Sequence, residues 1–283
     1  MKYTKINLSL STHKLYVSAF KNLLRYLGNK PIKIITTKEL DNYKNYRSEQ
    51  IAKSTVNIEL TCIKAIFNLA LRWQWINNNP AKYVSKFRIE QHEILCFTNN
   101  ELRTLLSNIP EGNLKNIVLF ALYTGCRLNE ILNVQFKDID LTENILTIRN
   151  KEDFKTKTLK VRQLPISNKL RELFKSVLKQ DSNTYAINNQ ELYLFRNNKN
   201  SKFDKTFISK KFKYYLRQSH LPEKYHFHVL RHTFITYLVR SNVNINYIKI
   251  LAGHSDLSTT LQYVHIVTDD LRQAVNKVSS IYL

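Results

Sequence analysis

Four short clusters gather arginines, histidines, lysines and one tyrosine at spacings that could serve chemistry at phosphorus. They are Thr124-Gly125-Cys126-Arg127-Leu128-Asn129-Glu130, the stretch from Lys155 to Pro165, His228-Val229-Leu230-Arg231-His232-Thr233, and the stretch from Leu251 to Tyr263. Attack on a phosphodiester builds negative charge on its non-bridging oxygens, and two guanidiniums can hold them in a bidentate, permanently charged clamp that lysine imitates poorly. Arg127 and Arg231 suit that role. A phenol with an ordinary pKa of about 10 stays protonated near neutrality, so a tyrosine such as Tyr263 needs nearby positive charge or a base before it can attack. The same arginines, with a histidine, can supply it. A departing sugar oxygen needs a proton, which a flexible lysine on a turn beside the scissile bond can donate; Lys157 is the candidate. Taken singly, each residue has a plainer reading: Arg127 as a salt-bridging helix residue, His228 or His254 as a structural histidine, Tyr263 as one of 16 tyrosines in packing roles. Only their conjunction argues for chemistry.

The charge balance supplies a substrate class. The 283 residues include 44 Lys and Arg against 22 Asp and Glu, a net charge of +22, and the sequence pI is about 9.8. A polyanion is the expected partner. The density is higher in the N-terminal part, with 16 basic and 5 acidic residues through Glu90. Such charge gives salt-dependent affinity without sequence information, so by itself it names DNA or RNA without choosing. A ribosome-associated protein, or a solvated lysine-rich surface, remains the plain alternative on composition alone. The 4 glycines argue against a glycine-rich phosphate loop. Cys62, Cys96 and Cys126 are too scattered for a disulfide framework or a metal clamp, which fits a reducing compartment. No apolar run approaches the ~18 residues of a membrane span, and the N-terminus lacks the apolar core of a signal peptide, so a cytoplasmic protein with no membrane partner is expected.

The elements that must position these clusters are mostly helical. Between Thr12 and Leu27 apolar residues recur at three- and four-residue steps, and Gly28 stops the helix. Thr36 and Glu39 form a capping-box signature for a second helix. A third is predicted from Ser54 to Trp73, with Ile58, Cys62, Ala65, Ile66, Leu69 and Ala70 on its apolar stripe, and Asn77-Asn78-Asn79-Pro80 ends it. A linker from Ala81 to about Cys96 leads to a second domain. There, Thr98 and Glu101 repeat the capping box, and a helix from Asn113 breaks at Thr124-Gly125 and resumes through Arg127 to Leu132. Alternating segments at Ile145–Ile148 and Leu159–Arg162 predict a small antiparallel sheet before helical periodicity returns after Ser167. The fold class is mainly α, with an N-terminal helical domain at residues 1–90 and a mainly helical domain carrying the sheet at 91–283.

In order and spacing the four clusters resemble the tyrosine recombinase family, the phage integrases and Xer-type recombinases, and the resemblance extends over essentially the whole chain. It implies a SAM-like core-binding domain followed by the catalytic domain. The motif TG-x-R-x-x-E maps its first arginine onto Arg127, with Glu130 as the supporting acid. The lysine eight residues before the strand proline maps onto Lys157, with Lys155 and Lys160 fitting less well; H-x-x-R maps onto His228 and Arg231, the GH motif onto His254, and the nucleophile onto Tyr263. Cys126 and Ala252 depart mildly from the commonest residues without removing a functional group. The resemblance implies strand cleavage through a covalent 3′-phosphotyrosyl link with a free 5′-hydroxyl, needing no ATP, catalytic metal or other cofactor.

The resemblance also implies two domains clamping double-stranded DNA. Lys202, Lys205, Lys210, Lys211 and Lys213 are candidate phosphate contacts on a helix whose aromatics Phe203, Phe207, Tyr214 and Tyr215 would form the buried stripe; Lys64 and Arg72 are candidates on the Ser54–Trp73 helix. An amphipathic segment at Thr268–Val278 would dock on a neighbouring protomer in a homotetramer, or pair of dimers, on DNA. Two other readings stand beside the recombinase: a type IB topoisomerase that relaxes supercoils, disfavoured by the compact N-terminal module, and a non-catalytic DNA-binding protein of the same fold, disfavoured by retention of the six catalytic side chains.

Overall fold

The computed structural model describes residues 2–90, 93–151, 154–156, 160–180 and 191–264. The chain divides into two compact units, Met1–His92 and Glu93–Leu283. Lys157 and the Thr268–Val278 segment lie outside the described residues.

The first unit is helical: α1 (Lys2–Asn7), α2 (Leu10–Leu27), α3 (Thr37–Ser48) and α4 (Lys53–Arg72). Ser9 caps α2, and Gly28, at φ +69°, closes it in the left-handed region that glycine adopts without a Cβ penalty. The Thr36–Glu39 capping box forms on α3, the Thr36 hydroxyl taking the Glu39 amide while the Glu39 carboxylate takes the Thr36 amide at 2.9 Å. The core collects Leu23, Leu40, Tyr43, Val56, Leu60, Ile63 and Phe67. The predicted stripe of α4 is corrected in part: Cys62 and Ala70 are buried as read, Ile58 is exposed, and the rest of the buried apolar face runs through Val56, Leu60, Ile63 and Phe67. Glu59 explains the rotation. Its carboxylate, almost wholly buried, accepts from Arg47 at 2.7 and 3.0 Å, from the Tyr43 hydroxyl at 2.8 Å and from Asn22 at 2.8 Å. One anion thereby bolts α2 and α3 to α4, and burying it is tolerable because every oxygen has donors.

The second unit begins with α5 (Asn99–Asn108), opened by the Thr98–Glu101 capping box, then α6 (Asn113–Thr124) and the one-turn α7 (Leu128–Ile131). A three-stranded antiparallel sheet follows in the order β1 (Ile139–Asp140), β2 (Ile145–Ile148), β3 (Arg162–Pro165), with Ile145 opposite Pro165 and Ile148 opposite Arg162. The strand expected at Leu159–Arg162 begins three residues later, at Arg162. Helices α8 (Asn168–Gln180), α9 (Lys205–Gln218), α10 (His228–Arg240), α11 (Ile245–Ala252) and α12 (Leu257–Leu261) complete the described part. The main core surrounds Phe120, Phe174, Phe195 and Phe212, and a satellite cluster of Ile235, Val239, Ile248 and Ala252 encloses the Tyr263 ring. No helix among the described residues is long and apolar enough to cross a membrane.

On α9 the aromatic stripe is also corrected. Ile208, Phe212 and Leu216 form the buried face, while Phe207 and Tyr214 are exposed. Positions four apart define one helix face, and residue 207 lies on the adjacent one with Lys211, whose ammonium sits 5.0 Å from the Phe207 ring.

Candidate active site

An open cleft of about 790 Å³ is lined by Arg127, His228, Arg231, His232, His254 and Tyr263, with Lys205, Lys210 and Lys213 of α9 on its wall. Each side chain arrives there for a local reason. Helix α10 carries His228, Arg231 and His232 at i, i+3 and i+4, hence on one face. Arg231 is 2% exposed, and two carbonyls fix it: Nη1 donates to Gly125 O at 2.7 Å and Nη2 to Ala252 O at 2.6 Å. Gly125 ends α6 at φ +63° with its Cα against the Phe234 ring, where a Cβ would fall 2.3 Å from a ring carbon. The helix break foreseen at Thr124-Gly125 therefore has a use: it turns a carbonyl toward Arg231.

Arg127 precedes α7 and is held by Glu130, whose carboxylate accepts from the Arg127 amide at 2.9 Å and from its Nη1 at 3.0 Å. Glu130 also takes two bonds from Arg162 of β3, at 2.7 and 3.2 Å. Burial alone would raise the Glu130 pKa, but the hydrogen bonds and charges of Arg162 and Arg127 hold it down at about 2. Arg162 went unrecognised in the sequence as part of the site. It reaches Glu130 by passing over Gly253, where a Cβ would lie 2.5 Å from its Nη1.

His254 follows the left-handed Gly253 turn and is hydrogen-bonded through Nδ1 to the Thr260 hydroxyl at 2.8 Å; its ring lies 6.4 Å from that of Tyr263. The Tyr263 phenol is hydrogen-bonded to His232 Nδ1 at 2.5 Å. His232 is the second residue that sequence reasoning missed, although its position four after His228 placed it on the same helix face. The Tyr263 side chain is 4% exposed, and burial pushes its pKa up to about 12 despite the opposing charges of Arg231 and Arg127. The two arginines therefore do not activate the phenol unaided. Burial, then neighbouring His226 and Arg231, lowers His232 to about 4; burial, then Arg231 and Arg127, lowers His254 to about 4. Burial, then the neighbouring His232, Arg231 and Arg127, lowers His228 furthest, to about 3. Arg231 is lowered to about 10 by burial and by Arg127, and stays cationic at neutral pH.

The lysines divide. Lys205, Lys210 and Lys211 are exposed. Lys213 is half-buried, pairs with Glu223 at 2.9 Å and donates to the Tyr225 carbonyl at 3.0 Å; Lys202 donates to Asn133 at 2.9 Å. On α4, Arg72 is exposed and Lys64 half-buried. Lys155 is exposed, and Lys160 lines a smaller hollow with Arg162, Lys249 and His254.

A mainly helical chain that presents two fixed guanidiniums, four imidazoles (His226 among them) and a phenol in one cleft, with a lysine-bearing wall, has the equipment of a phosphoryl-transfer enzyme acting on a polyanion. Residues 96–269 match the phage integrase family, and residues 3–88 match the phage integrase N-terminal domain. A tyrosine recombinase of Thermosipho africanus is 25% identical over 279 residues, covering 95% of this chain and 94% of that protein. The tyrosine recombinase XerA of Saccharolobus solfataricus is 26% identical, covering 95% and 87%. The Tn1549 transposon integrase in complex with transposon right end DNA superimposes with a TM-score of 0.82 at 20% identity, covering 98% of this chain and 97% of that one. The chain belongs to the phage integrase family of tyrosine recombinases, DNA strand-transferring enzymes of site-specific recombination.

Proposed function

We propose that Tyr263 is the nucleophile that cleaves one DNA strand, forming a 3′-phosphotyrosyl link and releasing a 5′-hydroxyl, and that the same residues rejoin it to a new partner. Arg127 and Arg231 hold the non-bridging oxygens, where charge grows in the transition state. Glu130 orients Arg127, and His228 and His254 complete the polar wall around the phosphate. Lys157 donates the proton to the departing 5′-oxygen. One phosphate ester replaces another, so no ATP is consumed. The observation that carries this reading is that the cleft shared by Arg127 and Arg231 also holds the Tyr263 side chain.

Double-stranded DNA is the substrate, supported by the net charge of +22 and by the DNA in the Tn1549 integrase complex. Residues 1–90 act as the core-binding domain and 91–283 as the catalytic domain. Lys64, Arg72, Lys202, Lys205, Lys210, Lys211 and Lys213 are the proposed DNA contacts; Arg72, Lys205, Lys210 and Lys211 suit phosphate best because they are exposed. The working form is a homotetramer on DNA in the cytoplasm, with the C-terminal segment docked in trans. Truncation after Val267 should abolish protein association on DNA; unchanged association would remove that part of the proposal.

The test is direct. The protein is incubated with a library of duplexes carrying random inserts and with supercoiled plasmid, quenched in detergent, and covalent adducts are recovered and sequenced. A recombinase yields adducts enriched in one site, and joined products between duplexes carrying it. Relaxed plasmid without a preferred site would point to a topoisomerase, and DNA binding without adduct to a non-catalytic protein.

A further inference from the structure

The bond between His232 and Tyr263 has no part in the roles assigned above, yet it is the contact that the phenol oxygen makes. We propose that His232 is the general base that removes the Tyr263 proton as the phenol attacks DNA; the inference rests on Tyr263 being the nucleophile.

A base must be within hydrogen-bond reach of the proton it takes. His232 Nδ1 is 2.5 Å from the phenol oxygen. The other imidazoles are engaged differently: His254 directs Nδ1 to Thr260 and stacks beside Tyr263 at 6.4 Å between ring centres, and the His228 ring meets the edge of His232 at 4.8 Å. The charged and titratable groups acting on His232 are His226 from the loop before α10, His228 and Arg231 on α10 itself, and His254 and Tyr263 from the following turns. None is a carboxylate, and burial, with His226 and Arg231 beside it, keeps the imidazole unprotonated, the state a base requires.

The need for a base is quantitative. A phenol with a pKa pushed up to about 12 is ionised in only ~10⁻⁵ of molecules at pH 7, so direct attack by phenolate is a rare event. In the proposed step the proton passes from Tyr263 Oη to His232 Nδ1 while Oη bonds to phosphorus. The bond from phosphorus to the 5′-oxygen breaks, and that oxygen takes a proton from the general acid, assigned above to Lys157. In rejoining, the 5′-hydroxyl attacks, its proton returns to the lysine, and the imidazolium protonates the departing phenolate. The imidazolium is transient and forms beside the phosphate, whose negative charge favours it.

The test uses the duplex recovered from the random library and the full chain. In His232→Asn the amide oxygen can still accept the phenol hydrogen bond but cannot carry its proton away. Single-turnover adduct formation should slow by ~10²-fold or more at pH 7 with unchanged DNA affinity. Its rate should then rise about tenfold per pH unit from 7 to 9, where the wild-type rate is flat, because phenolate must now form by itself. A 5′-bridging phosphorothiolate, whose leaving group needs no acid, should not restore the rate. His232→Ala should be rescued by added imidazole, which keeps the proposal testable if the Asn variant folds poorly. A wild-type rate, a slowed rate with a flat pH profile, or rescue by the phosphorothiolate would each overturn the assignment. Absence of adduct from the wild-type protein would instead overturn the role of Tyr263.

Discussion

Arg231 donates to the carbonyl of Gly125 at 2.7 Å across 106 residues of chain, so the turn that ends α6 orients the guanidinium carried by α10. The second carbonyl, that of Ala252, lies just before Gly253 in another left-handed turn. Two glycine turns from distant parts of the sequence thus aim one cation. Neither acceptor titrates, so the aim of Arg231 holds across the working pH range.

Tyr263→Phe removes the oxygen and little else. The ring remains in its apolar cluster with Ile235, Val239 and Ile248. Detergent-resistant adduct should vanish, while DNA affinity in a gel-shift titration stays within about twofold. Persistent adduct would identify another nucleophile.

Gly253→Ala and Gly28→Ala form a matched pair. Both glycines have positive φ, +67° and +69°, so an alanine strains the backbone at each, and at Gly28 no less than at Gly253 because its ψ of −165° lies outside the left-handed helical basin. At Gly28 nothing lies within 4 Å of the new methyl, whereas at Gly253 it meets Arg162. Gly253→Ala should therefore slow adduct formation by disturbing Arg162, Glu130 and Arg127, and Gly28→Ala should leave the rate of prebound complexes unchanged. Equal effects in single-turnover assays would separate Arg162 from the site.

The pH dependence of stability has two windows. His232 and His254 are held near 4 in the folded chain against an ordinary 6.5, so the unfolded chain binds more protons as pH falls. Their contribution is complete above pH 6.5 and is lost as pH falls toward 4. Glu130, held at about 2 against an ordinary 4.5, adds a second loss as pH falls from 4.5 toward 2. Urea unfolding between pH 7.5 and 4.5 should show the first, and His254→Asn should flatten its slope; an unaltered slope would mean that His254 is not the group titrating.

The lysines should separate by salt dependence. Removing an exposed phosphate contact, Lys210 or Lys211, should lower affinity for all sequences and reduce the slope of log K against log salt by about 1. Lys213→Ala differs because its ammonium ties Glu223 and the carbonyl of Tyr225 to α9. It should lower the melting temperature as well. A purely electrostatic effect at Lys213 would contradict its internal contacts.

What was legible in the sequence was whatever short-range chemistry decides. The capping boxes at Thr36 and Thr98 depend on residues three apart, and the glycine stop after Leu27 on one φ angle, so they could be read without the fold. The buried faces of α4 and α9 could not, because tertiary partners choose among neighbouring stripes. Glu59 turned α4 by attracting Arg47, Tyr43 and Asn22, and Phe207 left the core to lie with Lys211. In the site, motif spacing brought forward Arg127, Arg231, His254 and Tyr263. His232 stood beside a more conspicuous arginine, and only the fold showed the phenol oxygen arriving at its ring. Arg162 lay inside a cluster read for its lysines, and its link to Glu130 spans 32 residues.

The sheathing of Tyr263 bears on how such a protein lives among genomes. The ring of Tyr263 lies among Ile235, Val239, Ile248 and Ala252, and its hydroxyl keeps its hydrogen well above neutral pH. If Tyr263 is the nucleophile proposed above, the resting chain carries it uncharged and poorly reactive over the duplex it has no cause to cut.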